Sequence, residues 1–145
     1  FLGGGISNRA GEVTLRQVTL RDNQAALGGG LYSSESVGQV TIEGGSITGN
    51  RGSSHGGGIF MLQGTLTLVG AALAANTADD LGGGLYTDRA AITLDGSRVT
   101  GNEARVGGGI YHNGGSTFVF RNGAVVRDNT PDNCAGTAPV PGCTG

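Results

Sequence analysis

Two sets of carboxylates have the residue type that general acid and base catalysis requires. Glu43 and Asp95 lie far apart in the chain, whereas Asp79 and Asp80 are adjacent. The two carboxylates of an inverting glycosidase stand about 6.5–9.5 Å apart. Glu43 and Asp95 can therefore act together only if the fold brings them onto one face.

Two cysteines are the other residues with a specific chemistry. Cys134 and Cys143 enclose eight residues rich in Pro, Gly and Ala, with no His nearby. The pair therefore does not supply the four ligands that a structural zinc site needs, and we expect no metal. A disulfide is the leading prediction, and it implies an oxidising, extracellular compartment; two free thiols are the alternative.

Both histidines are isolated. His55 and His112 have no Ser, Cys or Asp at a spacing typical of a catalytic triad. Structural roles are predicted for both, and we expect no catalytic residue and no cofactor.

The composition excludes several classes of partner. The chain has 145 residues, 31 of them Gly, no Lys, and a formal net charge of −2. That charge is the wrong sign for nucleic acid. The longest apolar stretch, residues 66–75, is far shorter than the ~20 residues of a membrane span. The chain starts at Phe1 without a leader pattern, as expected of a mature or excised piece.

A repeat of about 26 residues organises the chain. Glycine triplets start at Gly3, Gly28, Gly56, Gly82 and Gly107. Asparagines recur with the same period at Asn23, Asn50, Asn76, Asn102 and Asn129. Two independent columns with one period indicate a solenoid.

Apolar residues between these markers alternate with period 2, which indicates strands. Three short strands per repeat predict an all-β, right-handed parallel β-helix of about five rungs, near residues 1–26, 27–54, 55–80, 81–105 and 106–130. Residues 131–145 are predicted to form a Pro- and Gly-rich cap with the disulfide. The glycines would form a corner that needs positive φ or close backbone approach. The asparagines would adopt the left-handed conformation at the opposite turn and hydrogen-bond from rung to rung.

On this fold the carboxylates take defined places. Glu43 and Asp95 share an outward column two rungs, or about 9–10 Å, apart, at the far limit for an inverting pair. A solvated face with alternating charges explains them equally well. The run 76–80 is superficially similar to elements of polygalacturonases, but that family also uses an Arg-x-Lys element and this chain has no Lys. Asp79 and Asp80 are therefore predicted to be turn residues.

An aromatic column is the most distinctive outward feature. It follows the glycine triplets at Tyr32, Phe60, Tyr86 and Tyr111. Alternation favours exposure, because Leu27 and Leu81 share the inward phase of Leu31 and Leu85, although a bend at the glycines would reverse this. The column is either a structural ladder or a strip on which sugar rings stack.

The repeat resembles that of secreted bacterial right-handed β-helix proteins, including the polymorphic outer-membrane-protein type. Their rungs read Gly-Gly-[Gly/Ala]-[Ile/Leu] followed by a distant Asn, as in Gly3 to Ile6 with Asn23. The ending Asn129 to Cys134, followed by Pro139 to Cys143, is similar to secreted actinobacterial members. The resemblance implies a surface or secreted location and supplies no mechanism.

These observations favour a non-catalytic stalk or adhesion module over a carbohydrate-active domain, which stays the alternative. A polysaccharide or a cell-surface ligand is the expected partner. The tail is expected to cover the last rung, whereas the rung that contains Ile6 has no such cap. We therefore expect self-association through the N-terminal rung.

Overall fold

The computed structural model describes residues 1–144, and Gly145, the last residue of the predicted cap, lies outside the described residues. Within this range all regular elements are β-strands, and every strand pairing is parallel. The strands stack with a spacing of about 26 residues into a parallel β-solenoid of about five turns. The predicted fold class is confirmed.

Three sheets run through every turn, as the alternation predicted. The first contains β1 Ile6–Asn8, β5 Leu31–Ser34, β9 Ile59–Leu62, β13 Leu85–Asp88, β16 Ile110–His112 and β19 Cys134–Gly136. The second contains β2 Glu12–Arg16, β6 Gln39–Glu43, β10 Thr65–Val69, β14 Ala91–Asp95 and β17 Thr117–Arg121. The third contains β3 Thr19–Arg21, β7 Ser46–Thr48, β11 Ala72–Ala74, β15 Arg98–Thr100 and β18 Val125–Arg127.

A fourth, shorter sheet adds to the three predicted ones. It contains β4 Gln24–Leu27, β8 Arg51–His55 and β12 Thr77–Ala78. Single bridges from Thr77 to Glu103 and from Glu103 to Thr130 continue it into the later turns. The buried positions of these segments hold small residues such as Ala25 and Gly52, so they show no apolar alternation and the sequence pattern did not predict them.

The core is a cylinder filled by the inward residues of the three long sheets. In the second sheet, Leu68 pairs in register with Ile42 and Leu94, and all three side chains are at most 1% exposed. Strand alternation with a period of 2 puts their neighbours on the outer face. The inward columns are those that the sequence predicted.

The glycine triplets form the corner between the fourth and first sheets. Gly56 has φ +64°, a left-handed conformation that glycine adopts without a steric penalty. A Cβ on Gly57 would lie 2.5 Å from the carbonyl oxygen of Gly83 in the next turn. The first glycine thus turns the chain, and the second allows adjacent turns to approach.

The tail closes the C-terminal end of the cylinder. Its strand β19 pairs with β16, so that Cys134 lies opposite Ile110. Val140 is 6% exposed and packs into the main core cluster, and a disulfide joins Cys134 to Cys143. The tail therefore covers the last turn with both backbone and apolar contacts.

Candidate functional site

The repeated asparagines form a continuous ladder along the cylinder wall. The backbone N–H and the Nδ2 of Asn50 both donate to Oδ1 of Asn76, at 3.0 Å each. Asn76 donates in the same way to Oδ1 of Asn102, at 2.9 and 3.0 Å. The second Nδ2 hydrogen of Asn76 reaches the carbonyl of Ile47 at 2.9 Å. Each central amide is thereby fully used in holding turns together.

The left-handed conformation lies one residue earlier than predicted. The residues that precede the five asparagines have φ values of +52° to +65°; they are Asp22, Gly49, Ala75, Gly101 and Asp128. None of the five asparagines has a positive φ. The chain turns at the preceding residue, which leaves the asparagine free to point its amide along the ladder. The expectation of left-handed asparagines was wrong for this reason.

The aromatic column forms a stack on the outer side of the first sheet. Its ring centroids are 5.4, 4.7 and 5.6 Å apart in sequence order, with interplanar angles of at most 11°. Tyr32, Phe60 and Tyr86 are 6–7% exposed, and Tyr111 is partly exposed. Phe60 and Tyr86, the two inner rings of the column, each stack on two neighbouring rings of it.

Leucines of the fourth sheet cover this stack across the glycine corner. Leu2, Leu27 and Leu81 pack against the aromatic cluster and not into the cylinder. The outer faces of the fourth and first sheets can contact each other only if the corner between these sheets bends toward the axis of the cylinder, so that the two outer faces turn toward one another. The glycine bend thus reverses the phase that alternation had assigned to these leucines, and the expected exposure of the rings is corrected. We call this second apolar cluster the outer corner.

Burial also changes the acidity of one ring of the outer corner. Desolvation raises the pKa of the Tyr86 hydroxyl above its usual value of 10.0, and the nearby charges of Asp88 and Tyr111 act in the same direction. The side-chain hydrogen bond from Asn113 and the charge of Arg89 act in the opposite direction and are smaller effects.

Glu43 and Asp95 stay on the surface and are held by different partners. Glu43 accepts a hydrogen bond from Nε of Arg16 at 2.8 Å, and Asp95 accepts one from Nδ2 of Asn122 at 2.5 Å. Both pair in register with Val69 of the strand between them. Two strand spacings keep them about 9–10 Å apart.

Asp79 and Asp80 take part in a charge network that spans three turns. Arg51 of the second turn donates to both oxygens of Asp79, at 2.7 and 2.9 Å, and Arg105 of the fourth turn donates to Asp80 at 2.7 Å. His55 lies at the edge, with Nδ1 3.8 Å from Asp80 Oδ2 and its ring stacked on Tyr86 at 5.0 Å. The two arginines do not belong to a residue column that recurs in every repeat, so the sequence alone did not connect them to the aspartates.

His112 is buried in the first sheet. The backbone N–H of Ser116 donates to its Nε2 at 3.1 Å, and its ring meets Phe118 edge-on at 5.3 Å. Its Nδ1 is buried without a hydrogen-bond partner. Nδ1 of His55 lies 3.4 Å from Oγ of the adjacent Ser54 and also faces Asp80, so one ring nitrogen meets both the hydroxyl and the carboxylate.

Unequal turns between the first and second sheets leave a recess on the surface. These turns have four residues at 35–38 and 113–116 but only two at 63–64 and 89–90. The long turns flank the short ones, and about 470 Å³ of open space lies between them. Its polar lining comes from Ser36, Gln63, Thr65, Arg89 and Thr117. We call this space the saddle recess.

Arg89 has the strongest hydrogen-bonding group in the saddle recess. It is paired with the adjacent Asp88, at 3.1 Å from Nε and 3.4 Å from Nη2. The pair is nearly neutral, and the remaining guanidinium hydrogens face outward on a side chain that is 59% exposed. The recess therefore combines a guanidinium whose charge Asp88 offsets with hydroxyl and amide groups, a mixture that suits the hydroxyl groups of a neutral ligand.

Within residues 1–144, no group of three or more His, Cys, Asp or Glu side chains is placed to hold a metal ion. The same range contains no helix of the length and apolarity that crossing a bilayer requires. No family model, no curated protein and no solved structure matches this chain.

Proposed function

We propose that this chain is a non-catalytic stalk or adhesion module of a secreted or cell-surface protein. The asparagine ladder is the observation that carries the proposal. The side-chain amides of the ladder, from Asn23 to Asn129, form hydrogen bonds between successive turns. Such a ladder stiffens a rod and leaves none of its polar groups for a reactant.

The surface carboxylates support the same proposal. Glu43 and Asp79 are each held by an arginine at 2.7–2.8 Å. A general acid or base must be free to exchange protons with a substrate, whereas both carboxylates are engaged in ion pairs between turns. These contacts suit cross-turn bracing better than proton transfer.

The disulfide supports an extracellular setting. Disulfides persist in oxidising compartments and are rare in the cytosol. The link between Cys134 and Cys143 holds the tail over the last turn. Together with the resemblance to secreted β-helix repeat proteins, it favours secretion.

The test compares binding with turnover on the same material. Immobilised chain is presented to cells and to a panel of neutral and acidic polysaccharides, and the soluble chain is incubated with each polysaccharide. We expect retention of cells or of a polysaccharide without a change in its chain length. Depolymerisation that Glu43→Gln, Asp79→Asn or Asp95→Asn abolishes would replace the proposal with an enzyme.

Carbohydrate binding at the saddle recess is the second candidate, and the hydroxyl and amide side chains beside the Arg89–Asp88 pair favour it. Neutral oligosaccharides should shift the amide resonances of Gln63, Thr65 and Arg89 in a titration followed by NMR. Arg89→Asn should weaken that shift because it removes the guanidinium from the recess. Asn is chosen because it tolerates the left-handed φ of 53° at this position. Arg98→Asn, on the exposed face of the third sheet, is the matched control and should leave the titration unchanged. Chemical-shift changes of the same size in the wild type and in Arg89→Asn would contradict this candidate.

A further inference from the structure

The saddle recess has a floor and two walls. Its walls are the four-residue connecting turns 35–38 and 113–116, which belong to the second and fifth turns of the solenoid. Its floor is formed by the two-residue connecting turns 63–64 and 89–90 of the third and fourth turns. The two walls are three strand spacings, or about 14 Å, apart from centre to centre. This width suits one linear chain molecule that lies across the solenoid axis.

Hydrogen bonds hold both walls in place. In one wall, Oγ of Ser116 accepts from the backbone N–H of Ala90 at 3.0 Å, and the backbone N–H of Ser116 donates to Nε2 of His112 at 3.1 Å. In the other wall, the N–H of Gly38 donates to the carbonyl of Glu35 at 2.9 Å. The recess is thus preformed, and a ligand does not have to order its walls on binding.

The backbone of the floor is already used between turns of the solenoid. The N–H groups of Thr65, Ala91 and Thr117 each donate to a carbonyl of the preceding connecting turn, at 2.9 Å. An extended peptide binds by pairing with a free strand edge, and these described residues of the floor offer none. The formal net charge of −2 disfavours a polyanion. A ligand of the recess must therefore be recognised by side chains.

The floor presents side chains that form hydrogen bonds with hydroxyl groups. Gln63 and Arg89 begin the two short connecting turns, with left-handed φ values of +62° and +53°, and both line the recess. Their backbones are one strand spacing, or about 4.8 Å, apart. An amide and a guanidinium whose charge Asp88 offsets are thus neighbours. Hydroxyl groups of a sugar ring can accept from both groups and donate to the amide oxygen.

Hydrogen-bonding side chains continue beyond the recess at both of its ends. On the side of the first sheet, Asn113 is exposed, and its side chain also forms a hydrogen bond with Tyr86. On the side of the second sheet, Thr93 lies two residues beyond Ala91 and on the same outer face. The surface that a chain of sugars could contact is therefore longer than the recess itself.

We infer that the saddle recess is the middle of a trough, marked by Asn113, Arg89 and Thr93, which binds a linear neutral oligosaccharide across the solenoid axis. This inference rests on the proposed carbohydrate binding at the recess, and it adds the length and the direction of the ligand. One sugar ring occupies the recess at Gln63 and Arg89. The rings on either side of it contact Asn113 and Thr93.

The experiment compares monosaccharides with their linear tetramers in NMR titrations of the full chain. The probes are glucose, mannose, xylose and N-acetylglucosamine and their β-1,4-linked tetramers. Arg89→Asn should weaken the binding of both lengths of the sugar that binds. Asn113→Ala and Thr93→Val should weaken only the tetramer, each about three- to tenfold, which is the effect of one lost hydrogen bond.

Two control variants remove the same kinds of group outside the trough. Gln24→Ala removes an exposed amide from the fourth sheet. Thr14→Val makes the Thr93→Val change in the same outer column, but in the first turn. Both controls should bind the tetramer like the wild type. All the replaced side chains lie outside the cylinder, so the circular dichroism spectrum should not change.

The outcomes distinguish the trough from the recess. A tetramer that loses affinity in Arg89→Asn but in neither Asn113→Ala nor Thr93→Val would overturn the trough and leave carbohydrate binding at the recess in place. Equal loss of tetramer affinity in the end variants and in the two controls would also overturn it. A tetramer with the same affinity for the wild type and Arg89→Asn, or the absence of binding by every probe at millimolar concentration, would overturn both proposals.

Discussion

The cylinder and the outer corner are both continuous apolar columns, yet they differ in how they are enclosed. Cylinder residues such as Leu66 and Leu94 have sheets on every side and are at most 1% exposed. The outer corner is formed by outward residues of two sheets that meet at the glycine bend, and Tyr86 in it is still 7% exposed. A strand pattern marks both columns equally well.

This difference shows what alternation encodes. A period of 2 says which residues share a face, whereas the sense of the bend between strands decides whether an outward face meets solvent or another outward face. In this chain the sense is set by left-handed glycines such as Gly28, with φ +64°. The corner should therefore tolerate change better than the cylinder, because one of its sides opens to water.

The largest effect is expected where the cylinder is closed on all sides. Leu68→Asp at its centre should cost about 5 kcal/mol or more and prevent folding, because the buried carboxylate has no partner. Val119→Asp, on the outer face of the same sheet, opposite Thr93 and 40% exposed at present, is the control and should fold. Circular dichroism and thermal melting make the comparison. A Leu68→Asp protein with the wild-type melting temperature would contradict the packing described for the cylinder.

The wall of the cylinder should show the next largest effect. Asn76→Ala removes the acceptor of two buried N–H groups of Asn50, and each unsatisfied group costs about 1–3 kcal/mol. We expect a loss of about 4 kcal/mol in the free energy of unfolding, measured by denaturant titration. Gln39→Ala, at an exposed position on the outer face of the second sheet, should change it by less than about 1 kcal/mol. Equal losses in the two variants would show that the ladder adds no stability.

The outer corner should respond more weakly than the cylinder wall. Phe60→Ala removes the ring between Tyr32 and Tyr86, and buried Phe→Ala changes cost about 3–5 kcal/mol. We expect about 3 kcal/mol, at the lower end, since water and neighbouring leucines can fill the open side. Phe60→Leu should recover more than half of the loss. A cost above that of Asn76→Ala would mean that the corner is as closed as the cylinder.

The sequence predicted the cylinder in detail and the outer corner only in part. Two marker columns and three alternating patches were enough for the turns, the ladder and the stacking of Tyr32 on Phe60. The covering of those rings was not predictable, because it depends on the direction of the glycine bend, which no side-chain pattern records. The saddle recess depends on turn lengths that differ by two residues, and the network around Asp79 on arginines outside the repeat.

Alkaline pH should loosen the outer corner before it affects the cylinder. The folded-state pKa of Tyr86 is raised above its unfolded value near 10.0, so its contribution to stability is complete below that pH and is lost as the pH rises through the folded-state pKa. The melting temperature of the wild type should fall more steeply above about pH 10 than that of Tyr86→Phe. Parallel curves would show that burial of this hydroxyl does not contribute.

The smallest effects are expected at the surface carboxylates, outside both apolar columns. Glu43 and Asp79 are 43% and 47% exposed, and their arginine partners are more exposed than they are. Exposed ion pairs of this kind contribute about 0–1 kcal/mol to stability. Glu43→Gln, Asp79→Asn and Asp95→Asn should therefore leave fold, binding and stability within about 1 kcal/mol of the wild type. Denaturant titration measures the stability, and incubation with acidic polysaccharides tests for turnover. The three variants keep the size of the side chain and remove only its charge, so a loss larger than Phe60→Ala would mean that the charges act as a network and not as separate pairs. Loss of a measurable polysaccharide-cleaving activity in any one of them would assign that carboxylate to catalysis and make the outer faces of the turns, not the ladder inside them, the functional part of the solenoid.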